Sequence, residues 1–236
     1  MRIRPVLVVL LPLLLLATAC GSGASGAKTG TTKGACSYHK DGTTPAKKAD
    51  LPPSNPPTDN PDTLTMSVTA GTVSGDIRIA LEPEQAPCAV NSLVSLAKQG
   101  YFDDTRCHRL TTQGYYVLQC GDPTGKGTGG PGYTFADELV DNDPRLQPCG
   151  QELGQDYCTY NTGTVAMANA GPDTNGSQFF LVYGNSKFPP DYTVLGHMDA
   201  AGLKVVKDVA AQGIGTAGMG PGDGAPKEPV TITSVK

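Results

Sequence analysis

The side chains able to do chemistry in this sequence gather in a few stretches. Arg109 sits in an apolar run, and Gln119 ends the next one, led by Tyr116-Val117. Met167-Ala168-Asn169-Ala170-Gly171-Pro172 and Gln178-Phe179-Phe180 come later. Together they supply one cation, several amides, small residues and aromatics. They supply no nucleophile, no general base with an orienting partner and no metal-ligand set. Such a groove can seat an apolar ring and fix a peptide backbone by hydrogen bonds. It can also place one permanent positive charge, because a guanidinium does not lose its proton in proteins. The chemistry open to it is conformational.

Other motifs fail on their surroundings. Gly125-Lys126-Gly127-Thr128-Gly129-Gly130 fits GxGxxG, but Pro131-Gly132-Tyr133 follows, and a dinucleotide loop must open a helix. Gly121 to Gly125 is one residue short of a Walker A loop, and Lys126 precedes Gly127 instead of Ser or Thr. His108 and His197 have no nucleophile elbow nearby and read as structural. Asn175-Gly176-Ser177 fits the glycosylation sequon, a pattern short enough to recur by chance.

The elements that must position the groove are short. Residues 64–69 and 76–81 alternate around a Gly71–Gly75 turn, which predicts a hairpin. Pro87 opens a helix whose Val90, Leu93, Val94 and Ala97 recur at i, i+3, i+4 and i+7, with Gly100 after it. Strands are expected over 106–110, 116–120, 165–168, 178–182, 193–198 and 230–235. Residues 201–211 read as a second amphipathic helix. The composition agrees: 30 Gly, 20 Pro and 17% charged residues fit a turn-rich β domain better than a helical bundle or a disordered chain. The expected fold is mainly β, a closed eight-stranded antiparallel β-barrel capped by two α-helices. A net charge of −4 argues against a nucleic-acid partner.

The first residues read as a targeting segment. Arg2 and Arg4 precede an apolar run over 6–16, about 16 Å long as a helix against a bilayer core of about 30 Å. That is a signal peptide, residues 1–19, and not a membrane span. Ala17-Thr18-Ala19-Cys20 resembles a bacterial lipobox, which makes Cys20 the lipidated N-terminus; the alternative is a plain secretory signal cleaved after Ala19. Residues 20–62 lack periodicity and are rich in Gly, Ser, Thr, Lys and Pro, so they read as a flexible tether with an r.m.s. span of about 35 Å. Cys36-Ser37-Tyr38 stands out as an exception that docks onto the domain, which itself covers 63–236. The chain is thus expected to be exported and anchored on the extracytoplasmic face of a bacterial membrane, through the N-terminal lipid only, as a monomer. Six cysteines remain beside Cys20: Cys36, Cys88, Cys107, Cys120, Cys149 and Cys158. Outside the cytoplasm an even number points to disulfides. Cys149 and Cys158 share one insertion and are the favoured pair; the remaining connectivity stays open.

Three stretches carry a family resemblance. Cys107-His108-Arg109-Leu110, Tyr116-Val117-Leu118-Gln119-Cys120-Gly121-Asp122, and residues 167–180 from Met167-Ala168-Asn169-Ala170 to Gln178-Phe179-Phe180 resemble cyclophilin-type peptidyl-prolyl isomerases. The resemblance covers about residues 63–236 and implies an eight-stranded barrel with a peptide groove outside it. It implies catalytic roles for Arg109, Gln119 and Asn169. It implies substrate contacts from Tyr116, Val117, Ala168, Ala170, Gln178, Phe180, Phe188 and Tyr192. It implies no cofactor, and as partners proline-containing segments of exported proteins. Three departures stand out. Residues 111–115 are about two longer than the common pattern, Phe188 stands near the usual Trp, and Tyr192 stands where His is usual. A non-catalytic proline-peptide-binding module or holdase is the competing function; a pure binder has no need of Arg109.

Overall fold

The structure, a computed structural model, describes residues 34–236, which form one compact unit. The expected signal peptide, Cys20 and the first part of the expected tether lie outside the described residues. Strand β1 (His39–Lys40) precedes a long hairpin of β2 (Thr63–Ala70) and β3 (Val73–Leu81). Helix α1 (Pro87–Lys98) leads to β4 (Thr105–Cys107), β5 (Arg109–Thr111), β6 (Tyr116–Cys120) and β7 (Tyr133–Thr134). Next come β8 (Leu146–Glu152), β9 (Gln155–Tyr160), β10 (Thr164–Met167), β11 (Phe179–Gly184), β12 (Ser186–Phe188) and β13 (Val194–Met198). Helix α2 (Ala200–Ala211), β14 (Ile214–Ala217), β15 (Asp223–Pro226) and β16 (Val230–Val235) come last.

The main sheet runs β14-β15-β5-β6-β11-β10-β13-β3-β2-β16-β4. The single strand expected over 106–110 is broken at His108: β4 pairs with β16, and β5 pairs with β6. With β4 and β5 counted as one interrupted strand, eight strands curl into a ring closed by the chain itself at His108. The β14–β15 hairpin adds to β5 outside that ring. The ring thus keeps the expected eight strands, with the one over 106–110 interrupted at His108.

Alternation sorts the strands into two apolar clusters. Leu118 on β6, Val165 and Met167 on β10, and Phe179 and Leu181 on β11 join the large core with Ile77, Leu110 and Ile232. The intervening Val117, Ala166, Phe180 and Val182 face the other way into a smaller cluster. A strand sends successive side chains to opposite faces, so one pattern builds both the barrel core and a site outside it. Both helices cover the core. Pro87 starts α1 without a side-chain cap from Ala86. Glu138 serves instead, accepting from Cys88 N at 2.9 Å and Ala89 N at 2.8 Å. Asp199 caps α2 through Gly202 N.

The flexible tether expected to reach residue 62 is corrected over 34–62, because this stretch is packed on the domain. Cys36 is bonded to Cys88, and β1 pairs with β7. Lys47 Nζ donates to Gly100 O at 2.7 Å and Asp103 O at 2.9 Å. Asn91 Nδ2 donates to Pro53 O at 2.8 Å and to the Tyr38 hydroxyl at 2.9 Å. Buried backbone and amide partners of this kind, and not hydrophobic periodicity, hold the segment, which is why periodicity did not reveal it. The other disulfides are Cys107–Cys120 and the favoured Cys149–Cys158.

Candidate functional site

Arg109 begins β5, opposite Gln119 on β6. Its Nε donates to Asp223 Oδ1 at 3.0 Å, and its Nη2 donates to Asp223 Oδ2 at 2.7 Å and to the Tyr115 hydroxyl at 2.9 Å. Its Nη1 reaches Gln119 Oε1 at 3.4 Å. Hydrogen bonds to Asp223 push its pKa up beyond an already high value, against the opposing effect of burial. Of the five N–H donors of a guanidinium, these contacts leave one, on Nη1. Asp223 and Tyr115 are the residues that sequence reasoning missed. Asp223 lies 114 positions from Arg109, and only the β15–β5 pairing brings it there. Spacing along the chain carries no trace of that pairing.

A chain of amides extends from the arginine. Gln119 Nε2 donates to Gln178 Oε1 at 2.9 Å, and Gln178 Nε2 donates to Gly127 O and Gly129 O, each at 3.0 Å. The glycine-rich loop that failed the nucleotide test is therefore a structural cradle. It wraps the buried Asp122 carboxylate, which accepts from Thr124 N at 2.7 Å, Gly127 N at 2.7 Å and Gly129 N at 3.0 Å. Burial raises the Asp122 pKa, but these donors outweigh it and hold the carboxyl below its ordinary value. A side chain at Gly129 would place its Cβ 2.1 Å from Asp122 Oδ1, so glycine is required.

Beside this polar line stands an aromatic box. Phe188 packs on Tyr115, Tyr160, Phe180 and Tyr192, with ring centroids 5.1, 5.5, 5.7 and 5.9 Å away. Phe180 and Tyr192 meet edge to face at 5.4 Å. Val117, Ala166 and Val182 form the floor, and Ala168 packs at the margin. The β12–β9 pairing, Phe188 opposite Cys158, carries Phe188 to this place. Among the expected site residues, Arg109, Gln119 and Gln178 meet in the polar line, and Val117, Ala168, Phe180, Phe188 and Tyr192 meet in or at the box.

One expected residue is placed differently. Tyr116 lies on the other face of β6, is 37% exposed and packs on Tyr183. Strand alternation puts its neighbour Tyr115 on the groove side instead. Asn169 lines the same cavity as Gln119, Ala168 and Gln178, and its side-chain amide is held within the protein. Its Nδ2 donates to Asp191 O at 2.9 Å, and its Oδ1 accepts from Gly171 N at 3.3 Å. The side chain shapes its own turn. The neighbouring Ala170 N is taken by Thr174 Oγ1 at 2.8 Å.

Known proteins resemble this chain closely. Residues 64–236 match the family model described as "Cyclophilin type peptidyl-prolyl cis-trans isomerase/CLD". A Mycobacterium tuberculosis protein named "Probable peptidyl-prolyl cis-trans isomerase B" is 49% identical over 180 residues, covering 74% of this chain and 55% of its own length. A Streptomyces anulatus protein named "Peptidyl-prolyl cis-trans isomerase B" is 38% identical over 186 residues, covering 71% of this chain and 93% of its own. The chain thus spans about half the length of the mycobacterial relative. A Cryptosporidium parvum cyclophilin-type isomerase crystallised in the presence of the dipeptide Ala-Pro superimposes with a TM-score of 0.55 at 26% identity, covering 73% of this chain and 96% of that one. With a barrel of this order, an external groove and a matching stretch of this length, the chain belongs to the cyclophilin-type peptidyl-prolyl cis-trans isomerase family.

Proposed function

We propose that this chain accelerates cis–trans isomerisation of Xaa-Pro bonds in exported proteins. The observation that carries the reading is one uncommitted N–H on a fixed, charged Arg109, placed next to an aromatic box. Rotation about the peptide C–N bond meets a barrier of about 18–20 kcal/mol. A rate gain of about 10⁵ needs roughly 7 kcal/mol of stabilisation given to the transition state alone.

The groove offers that selectivity. In the twisted state the proline nitrogen becomes pyramidal and regains a lone pair. The remaining Arg109 Nη1 donor can meet that lone pair, which neither planar ground state presents. Val117, Phe180, Phe188 and Tyr192 hold the ring and exclude water, so the hydrogen bond acts in a medium of lower dielectric. Asp223 and Tyr115 keep the guanidinium from turning away. No proton or electron pair leaves the substrate, so no acid, base or cofactor is required.

The cellular setting is part of the proposal. The lipobox-like Ala17-Thr18-Ala19-Cys20 supports export and anchoring through a lipid on Cys20. Three disulfides support an oxidising compartment. Mass spectrometry of the mature N-terminus tests this: an acylated Cys20 is expected, and an unmodified one would contradict it. The activity is tested by the exchange rate of an Xaa-Pro peptide with and without the purified chain. Catalysed exchange is expected; peptide binding without faster exchange would favour the non-catalytic binder.

A further inference from the structure

Residues 34–62 precede the stretch that the family model covers, yet they form part of the groove wall. Cys36–Cys88 ties the start of this strap to α1. The pairs His39↔Thr134 and Lys40↔Tyr133 fix its middle, and Ala46 N donates to Gly130 O at 2.9 Å. Between these ties the strap carries Asp41 and Thr43 to the rim of a cavity of about 420 Å³. The far wall of that cavity is the site already described, through Gln119, Ala168, Asn169 and Gln178.

Asp41 is the one charged side chain among the described residues that line this cavity. Its Oδ1 accepts from Thr43 N at 2.8 Å and Thr43 Oγ1 at 2.7 Å. These bonds orient the carboxylate and leave Oδ2 without a partner among the described residues. The remaining lining is small, neutral or amide-bearing, so nothing else in the cavity competes for a cation.

Geometry links the cavity to the groove. Val117 and Gln119 share one face of β6, two positions and about 6.6 Å apart. An extended peptide advances at most about 3.3–3.6 Å per residue. A peptide with its proline against Val117 therefore brings a side chain one or two positions away to the mouth of the cavity beside Gln119. We propose that the strap is a specificity element in which Asp41 selects substrates carrying Lys or Arg within two positions of the proline. This inference rests on the isomerase reading above.

The test uses the full chain and matched Xaa-Pro peptides with Lys, Leu or Glu at each of the two positions on either side of the proline. Both kcat/KM and calorimetric Kd are measured, for the wild type, Asp41→Asn and Asp41→Lys. The readout is the Lys-to-Glu ratio within each variant, so any general loss divides out. At one flanking position the wild type should favour Lys over Glu by about threefold or more, in line with an exposed ion pair replaced by a repulsive one. The ratio should shrink in about 0.5 M salt, approach one in Asp41→Asn and invert in Asp41→Lys. A wild-type ratio near one at every position, or an unchanged ratio in Asp41→Lys, would overturn the proposal. The two readings fail separately. Equal turnover of all peptides removes the role of Asp41 alone, whereas charge-selective binding without turnover upholds it and removes the isomerase.

Discussion

Asp223 grips Arg109 through both carboxylate oxygens, at 3.0 Å to Nε and 2.7 Å to Nη2, and so decides which guanidinium edge faces the groove. Asp223 is 8% exposed, which keeps the pair from exchanging freely with water. Its role is positioning, because both carboxylate oxygens are taken by Arg109. Asp223→Asn keeps the shape and loses the charge-assisted fork. It should lower kcat by about ten- to a hundredfold, the scale of a misplaced catalytic group, with a smaller change in KM. Steady-state kinetics on one Xaa-Pro peptide separates the two. A loss confined to KM would mean that Asp223 shapes the pocket instead.

The two adjacent tyrosines give a contrast on one strand end. Tyr115 binds Arg109 and packs on Phe188, whereas Tyr116 packs on Tyr183 outside the box. Tyr115→Ala should lower kcat/KM by at least about tenfold, since it removes both a hydrogen bond and an aromatic wall. Tyr116→Ala should change it by less than about threefold, the surface-substitution range. Equal effects in the rate assay would restore Tyr116 as a pocket residue.

Much of the site was legible in the sequence through its resemblance to the cyclophilin-type isomerases. Val117 and Gln119 share one face of β6 by the period of two, and Phe180 on β11 joins them through its pairing opposite Gln119. Phe188 and Tyr192 came from the family resemblance, and in the fold both rings pack on Phe180. What was hidden depends on pairing between distant segments. Asp223 reaches Arg109 only through β15, and the strap reaches the barrel through a disulfide and backbone bonds within a stretch that reads as a tether. Tyr116 was misplaced by one position, which in a strand reverses the face. The break at His108 has no proline or glycine to announce it.

The disulfides should differ in stabilising power. Cys36–Cys88 spans 52 positions and Cys149–Cys158 spans 9. Loop-closure entropy gives about 4 kcal/mol for the first and about 3 kcal/mol for the second. Cys36→Ala/Cys88→Ala should therefore lower the denaturant midpoint more than Cys149→Ala/Cys158→Ala, and it should also expose the strap to protease. A strap that stays protected without its disulfide would show that backbone pairing alone holds it.

His108 makes stability depend on pH. Burial lowers its pKa from the ordinary 6.5, with Asp122 opposing the shift and Arg109 adding to it. Both ring nitrogens are shielded and unpartnered. The unfolded chain thus binds this proton more readily than the folded one. Stability is complete above about pH 6.5 and falls as the pH drops from there towards the lower folded value. Glu138, pushed up by burial, acts in the opposite sense, so the comparison must be between variants. Urea unfolding at several pH values should give His108→Phe a smaller loss below pH 6.5 than the wild type. Parallel curves would remove His108 from the account.

The central claim is that Arg109 donates to the twisted peptide bond. Arg109→Ala should lower kcat/KM by about 10²–10³, the loss expected of one electrostatic donor. Arg109→Lys should also be poor, since a point charge cannot keep the Asp223 fork and still present a donor to the substrate. Peptide affinity should change much less, because Phe180, Phe188 and Tyr192 pack on one another without the guanidinium. The deciding measurement pairs the prolyl-isomerisation rate of Arg109→Ala with its thermal melt. The account predicts a folded protein with that rate loss; a folded Arg109→Ala that isomerises at the wild-type rate would contradict it.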